Sequence, residues 1–318
     1  MKPILPKRLQ PGDTLGLICP ASAPPHAAMV DKSVAALEKL GFKVKLGRHA
    51  RKRWGFLAGK DRERAADLMQ MFGDPRVHGI VCLRGGYGTP RLLPLLDYGV
   101  IRRNPKVFVG FSDITALHCA FLLKSNLLSF HGPMTASHLA QKDTPEFTIQ
   151  SWRRILMQPE PFGSILKGYK NKTVKALRGR TISGQLIGGN LTLMATSLGT
   201  PYQPQFRNHI LFFEEVDERP YRMDRLLTQL LNAGLLQQVA GVAVGICHEC
   251  RDPKAKPCGE YRQSLEDVLR ERLLPLKIPV VTGLPFGHVP YNATLPVGGM
   301  ATLDGDTGDL ILTSTAVR

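Results

Sequence analysis

The chain has 318 residues, 42 Lys and Arg against 26 Asp and Glu, a net charge of +16 and an isoelectric point near 9.8. With 43% hydrophobic and 21% charged residues it has the means to bury a core, which excludes a disordered chain, and its length suits two domains. No apolar run reaches the length of about 18 residues that a membrane-spanning helix needs, and residues 1–8 lack the apolar core of a signal peptide, so a soluble cytoplasmic protein is expected.

Thr14–Cys19 predicts a buried strand that stops at Pro20, and Met29, Val30, Val34, Leu37 and Leu40 predict a helix over about 27–40 that Gly41 ends. A second helix is expected near Arg62–Met71, then a strand over Gly79–Leu83. The strand Val107–Val109 leads into a helix over about Ile114–Lys124. Short apolar strands separated by helices imply parallel βαβ units in an α/β fold, assigned to residues 1–150. Between Pro161 and Phe213 there is no Asp or Glu, and six Lys and Arg crowd 167–180, so residues 151–180 read as a basic linker. A second α/β domain follows over 181–318. It holds a helix at Arg222–Ala233 with Met223, Leu226, Leu227, Leu230 and Leu231 on one face, the strands Ile210–Phe213 and Val239–Ile246, and two final strands around an Asp304–Gly308 turn.

The basic surplus admits nucleic acid, anionic membrane surfaces or acidic small molecules as partners. No helix-turn-helix, zinc-finger or aromatic RNA-binding signature accompanies it, so neither nucleic acid nor membrane is an expected partner. Of six cysteines, Cys19, Cys82 and Cys119 fall in apolar runs, while Cys247, Cys250 and Cys258 with His248 have zinc-ligand spacing. Cys247 ends an apolar strand, which favours inert thiols over a metal site.

Chemistry is suggested by Gly110-Phe111-Ser112-Asp113, where a buried strand ends and a helix begins. A serine on such a turn projects its hydroxyl beside free helix N–H groups that can hold an oxyanion, although a serine there also serves as a plain helix cap. Arg84-Gly85-Gly86-Tyr87-Gly88 follows another strand and lets backbone N–H groups approach a ligand, but matches neither a dinucleotide fingerprint nor a P-loop. A nucleophilic serine needs a base and an orienting acid. His288 stands on a loop after a strand, and Glu214 and Glu215 follow the strand Ile210–Phe213; periodicity does not choose between the two glutamates.

Taken with Pro11-Gly12-Asp13, His131-Gly132-Pro133-Met134, Gly188-Gly189-Asn190-Leu191, Pro220-Tyr221-Arg222 and Gly283-Leu284-Pro285-Phe286-Gly287-His288, these segments resemble the LD-carboxypeptidase family nearly end to end. The resemblance implies a flavodoxin-like N-terminal parallel-sheet domain carrying the nucleophile Ser112, and a smaller C-terminal swivelling α/β domain supplying the acid Glu214 and the base His288. It also implies oxyanion donors at the Gly86 and Asp113 N–H groups, a homodimer, and neither metal nor cofactor. The implied reaction releases terminal D-alanine from murein tetrapeptide in peptidoglycan recycling. The alternative is a microcin-immunity-type peptidase acting on a peptide–nucleotide conjugate, whose relatives recognise a nucleobase through added aromatic residues. Neither Trp54 nor Trp152 stands beside the motifs in sequence.

Overall fold

In a computed structural model, which describes residues 2–251 and 263–318, the alternation of apolar strands and amphipathic helices builds a sheet covered on both faces. Its elements are β1 (Thr14–Ile18), α1 (Ala28–Lys39), β2 (Lys43–Leu46), α2 (Asp61–Gly73), β3 (Gly79–Cys82), α3 (Tyr98–Arg103), β4 (Val107–Gly110), α4 (Thr115–Ala120) and β5 (Ser129–His131). The five strands pair in parallel in the order β2-β1-β3-β4-β5. Every residue of β3 and β4 is buried, which is why their sequences are unbroken apolar runs. This flavodoxin-like order puts a topological switch between β1 and β3, so the loops beyond their carboxyl ends part and leave a crevice.

Parts of the stretch expected as a linker are built into the fold. Helix α5 (Glu146–Met157) runs through its start, with Trp152, Ile155 and Leu156 buried and the Trp152 ring edge-on to Phe42 at 5.9 Å. Strands β6 (Gly163–Ser164) and β7 (Lys175–Arg178) then join a second sheet at its two edges. Buried Phe162 and Ile165 anchor the chain just before the basic run, whose own residues are mostly exposed.

The second unit continues through β8 (Thr181–Asn190), α6 (Leu191–Thr196), β9 (Ile210–Glu214), α7 (Pro220–Asn232), β10 (Gly241–Ile246), α8 (Leu265–Leu273), β11 (Val280–Gly287), β12 (Leu295–Val297), β13 (Met300–Asp304) and β14 (Asp309–Leu312). Strands β8 to β11 run parallel to one another, whereas β7, β13, β14 and β6 pair antiparallel, in the order β6-β14-β13-β8-β9-β10-β11-β7. The α7 stripe of Met223, Leu227 and Leu230 is buried as its spacing requires.

One late element crosses back. Strand β12 pairs antiparallel with β5 and becomes the sixth strand of the first sheet, so the units at 1–150 and 181–318 are not cleanly separable. A continuous apolar cluster includes Val109 and Phe130 of the first sheet with Phe212, Phe286 and Leu295 of the later chain. The ends of the chain meet as well: the Arg8 N–H donates to the Arg318 carbonyl and the Arg318 N–H to the Pro6 carbonyl, both at 3.0 Å. Among the described residues no helix is long and apolar enough to cross a membrane.

Candidate active site

The site begins where β4 stops. His118 on α4 donates from Nε2 to the Gly110 carbonyl at 2.8 Å, and its Nδ1 meets the Ser129 hydroxyl at 2.8 Å. Burial pushes its pKa down to about 4, so the ring stays neutral and anchors the strand end. Phe111 is extended, and Ser112 then takes φ 65°, a left-handed conformation that an L side chain adopts only under constraint. The buried strand on one side and α4 on the other supply that constraint and leave the hydroxyl projecting from the sheet edge. The turn after β3 packs directly on it. A Cβ on Gly85 would stand 2.9 Å from the Ser112 Cβ and 3.1 Å from its Oγ, so only glycine permits this approach.

Two further residues converge on Ser112 from the second sheet. His288, one residue beyond β11, has Nε2 at 3.0 Å from Ser112 Oγ and Nδ1 at 2.6 Å from Glu214 Oε2. Glu214, the last residue of β9, is fully buried, while the His288 side chain keeps 21% exposure toward the cleft. Gly287, at φ 118°, makes the pairing possible, because a Cβ there would come 2.9 Å from the Glu214 Cβ. The neighbouring Glu215 is turned away. Its carboxylate accepts from the Asn190 amide at 2.7 Å and from the Thr192 N–H and hydroxyl at 2.8 and 2.7 Å, which ties β9 to the start of α6. Successive strand residues face opposite sides, and that alternation decides between the glutamates.

Burial alone favours a neutral His288, but the charge of Glu214 and its hydrogen bond, reinforced by the charge of Glu215, outweigh it and raise the pKa above the ordinary imidazole value. A histidine so placed has its Nδ1 proton directed at Glu214 and its Nε2 lone pair directed at the serine, the arrangement a general base needs.

The Gly86 and Asp113 N–H groups lie on the turns flanking Ser112, and among the described residues neither has a hydrogen-bond partner. The two turns are locked together. The Asp113 carboxylate accepts from the Thr89 N–H at 2.8 Å, and the Thr89 hydroxyl donates to the Asp113 carbonyl. Burial raises the Asp113 pKa, against the pull of the hydrogen bonds from Thr89 and Gly88. The Tyr87 N–H donates to Ser22 Oγ at 3.0 Å, which fastens the glycine turn to the loop after β1.

Phe111 forms one wall, its ring edge-on to His288 at 4.8 Å and near His138 at 5.5 Å. Beside it opens a cavity of about 310 Å³ whose lining includes Phe111, His138, Gln141, Thr144, His288 and Val289. An exposed aromatic group stands at the glycine turn. Phe56 and Tyr87 are exposed and meet edge-on at 5.5 Å, and the Arg91 guanidinium sits 5.9 Å from the Trp54 ring. A Trp54–Leu57 turn bridged to Ser22 ties the Trp54 segment to the loop that holds the glycine turn, although Trp54 is distant from every motif in sequence.

The remaining candidates fall elsewhere. Cys247 is half-buried and Cys250 buried, and Cys258 lies outside the described residues. Among the described residues no group of three or more His, Cys, Asp or Glu is placed to hold a metal ion. His118 and the Asn190–Thr192 clamp on Glu215 went unseen in the sequence, because each acts by hydrogen bonds that only the fold creates. The one available signal was a polar histidine inside the otherwise apolar helix face that follows Ser112.

Two outcomes are expected. In an NMR titration His288 should titrate above about 6.5, the ordinary imidazole value, and Glu214→Gln, which removes the charge but keeps the burial, should move it below; a wild-type midpoint at or below that value would contradict the coupling. Ser112→Gly should unfold in urea with about 1 kcal/mol more stability than Ser112→Ala, since glycine relieves the left-handed strain. Equal stabilities would mean the strain is absent.

Models of the LD-carboxypeptidase N-terminal and C-terminal domains match residues 15–132 and 183–303. A Bacillus subtilis protein described as "Probable murein peptide carboxypeptidase" is 38% identical over 307 residues, covering 94% of this chain and 91% of that one. The structure of muramoyltetrapeptide carboxypeptidase from Oxalobacter formigenes superposes with a TM-score of 0.81 at 32% identity, over 94% of this chain and 97% of that one. The wild-type apo structure of the microcin C7 self-immunity protein MccF, a name carried by an Escherichia coli relative, superposes with a TM-score of 0.87 at 27% identity, over 99% and 100%. With both domain models matched in order and relatives of this identity spanning nearly its whole length, the chain belongs to the LD-carboxypeptidase family.

Proposed function

We propose that this protein is a serine-type LD-carboxypeptidase that releases the terminal D-alanine of murein tetrapeptide. The observation that carries the reading is the hydrogen-bonded series from Ser112 Oγ through His288 to Glu214. His288 Nε2 takes the serine proton as Oγ attacks the peptide carbonyl, and Glu214 holds the Nδ1 proton in place and stabilises the imidazolium. The Gly86 and Asp113 N–H groups receive the developing oxyanion, an interaction whose loss typically costs about 10²–10³ in turnover. Collapse of the tetrahedral intermediate passes the proton from His288 to the departing D-alanine amine and leaves the tripeptide esterified to Ser112. Water, deprotonated by the same histidine, then releases it. These steps call on no metal or cofactor.

The same reading places the enzyme in the cytoplasm, working on peptidoglycan turnover peptides as a homodimer. The likeness to the microcin self-immunity protein supports a second reading, cleavage of a peptide–nucleotide conjugate, and the exposed rings of Trp54, Phe56 and Tyr87 are a surface on which a nucleobase could stack. Higher identity to the murein-named proteins favours the first.

The test is D-alanine release from free murein tetrapeptide by wild type and Ser112→Ala. Release by wild type and a loss of about 10⁴-fold or more in the variant are expected. Undiminished release by the variant would overturn the serine mechanism, and no release by wild type would overturn the substrate and turn attention to the nucleotide conjugate.

A further inference from the structure

A carboxypeptidase must recognise a free carboxylate close to the bond it cuts. In the residue released, the carboxylate carbon stands only two bonds from the scissile nitrogen, so it lies within about 5 Å of the carbonyl under attack. The group that holds it must therefore hang near the oxyanion donors, carry positive charge and have donors to spare.

Arg84 meets these conditions. It sits two residues before Gly86, in the turn after β3, at the crevice between the carboxyl ends of β1 and β3 where ligands of such sheets bind. Its Nη2 comes within 3.5 Å of the place a Gly86 Cβ would occupy. The side chain is half-buried, and its Nη1 donates at 3.1 Å to the Ala23 carbonyl of the loop after β1, which fixes the guanidinium across the crevice. Among the described residues no carboxylate pairs with it within 4.0 Å. A guanidinium has five N–H donors in a planar fork, and one bond to Ala23 leaves the fork open to a bidentate carboxylate.

The contrast with the nearby arginines is informative. Arg64 is buried beneath the same turn with its donors committed to the Pro20, Gly59 and Gly88 carbonyls and to Asp61. Arg91 is paired with Asp61 as well. Both charges are paired with a carboxylate, the Asp61 that they share, and serve the fold. The charge of Arg84 is not, and leaving a half-buried cation without a counter-ion makes sense where the counter-ion arrives with the substrate.

We infer that Arg84 is the specificity-determining residue that binds the terminal carboxylate of the substrate, in the crevice between the loops after β1 and β3. This rests on the carboxypeptidase reading above. It explains how a nucleophile, a base and an oxyanion site that would serve any acyl transfer become restricted to the last residue of a peptide.

The experiment compares two substrates, murein tetrapeptide with a free C-terminal carboxylate and the same tetrapeptide with a C-terminal carboxamide, measuring release of D-alanine and of D-alaninamide. Wild type should prefer the acid by about 10–100-fold in kcat/KM, the range expected for a charge-assisted bidentate contact. Arg84→Gln should bring that preference to within a few-fold, and Arg84→Lys, which keeps the charge but not the fork, should fall between. A loss of the same size on both substrates in Arg84→Gln would mark a structural role and overturn the inference. Equal rates on acid and amide by wild type would overturn it without any variant. No release of either product by wild type would instead overturn the carboxypeptidase reading itself, and the inference with it.

Discussion

His288 makes the two hydrogen bonds on which the rest of the site depends. One reaches Ser112 at the end of a strand in the first sheet, the other reaches Glu214 at the end of a strand in the second, and the histidine itself follows a third strand. No single sheet carries the whole series. On the proposed mechanism the serine proton can pass to His288 only while the sheets keep their relative position, and the fold supplies that rigidity in two ways. Strand β12 leaves the second unit to pair with β5, and an apolar cluster runs without interruption from Val109 and Phe130 to Phe212 and Phe286. Phe212 and Phe286 each stand two residues before a member of the trio, so the packing that joins the sheets also sets the directions of Glu214 and His288.

Around this series the protein uses close backbone approach where most proteins would place a side chain. Ser112 is held in a left-handed conformation, a cost of about 1–3 kcal/mol that surrounding structure must offset. His118 on the Gly110 carbonyl, Thr89 on both ends of Asp113, and Gly85 pressed against the serine supply that support. On the proposed mechanism this holds the serine hydroxyl and the Gly86 and Asp113 N–H groups in position before any substrate arrives, which would spare the reorganisation that otherwise raises the barrier.

Much of this was legible in the chain itself, because short-range chemistry leaves local marks. The βαβ order of the first half follows from unbroken apolar strands between amphipathic helices, and the glycines beside Ser112 signal close backbone approach. Features set by long-range geometry were not legible. Glu214 and Glu215 are equivalent as residues, and only the direction each faces across β9 separates them. The basic run over 167–180 suggested a solvated linker because charge dominates its composition, and it is mostly exposed, yet Lys175–Arg178 pairs with β11 as an edge strand, a long-range contact that its composition does not announce. The crossing strand Leu295–Val297 is three residues long with Pro296 at its centre, tolerable at a sheet edge and invisible to periodicity. Trp54 and Arg84 acquire their meaning from loops that meet only in space.

The central claim is that Ser112 and His288 act as one unit, and its most direct test is a double-mutant cycle on D-alanine release with Ser112→Ala, His288→Ala and the pair together. Residues that serve a single proton transfer are strongly non-additive, so the double variant should be about as slow as either single one. Losses that multiply would show two independent contributions, and the hydrogen-bonded series across the sheets would then not be the catalytic machinery.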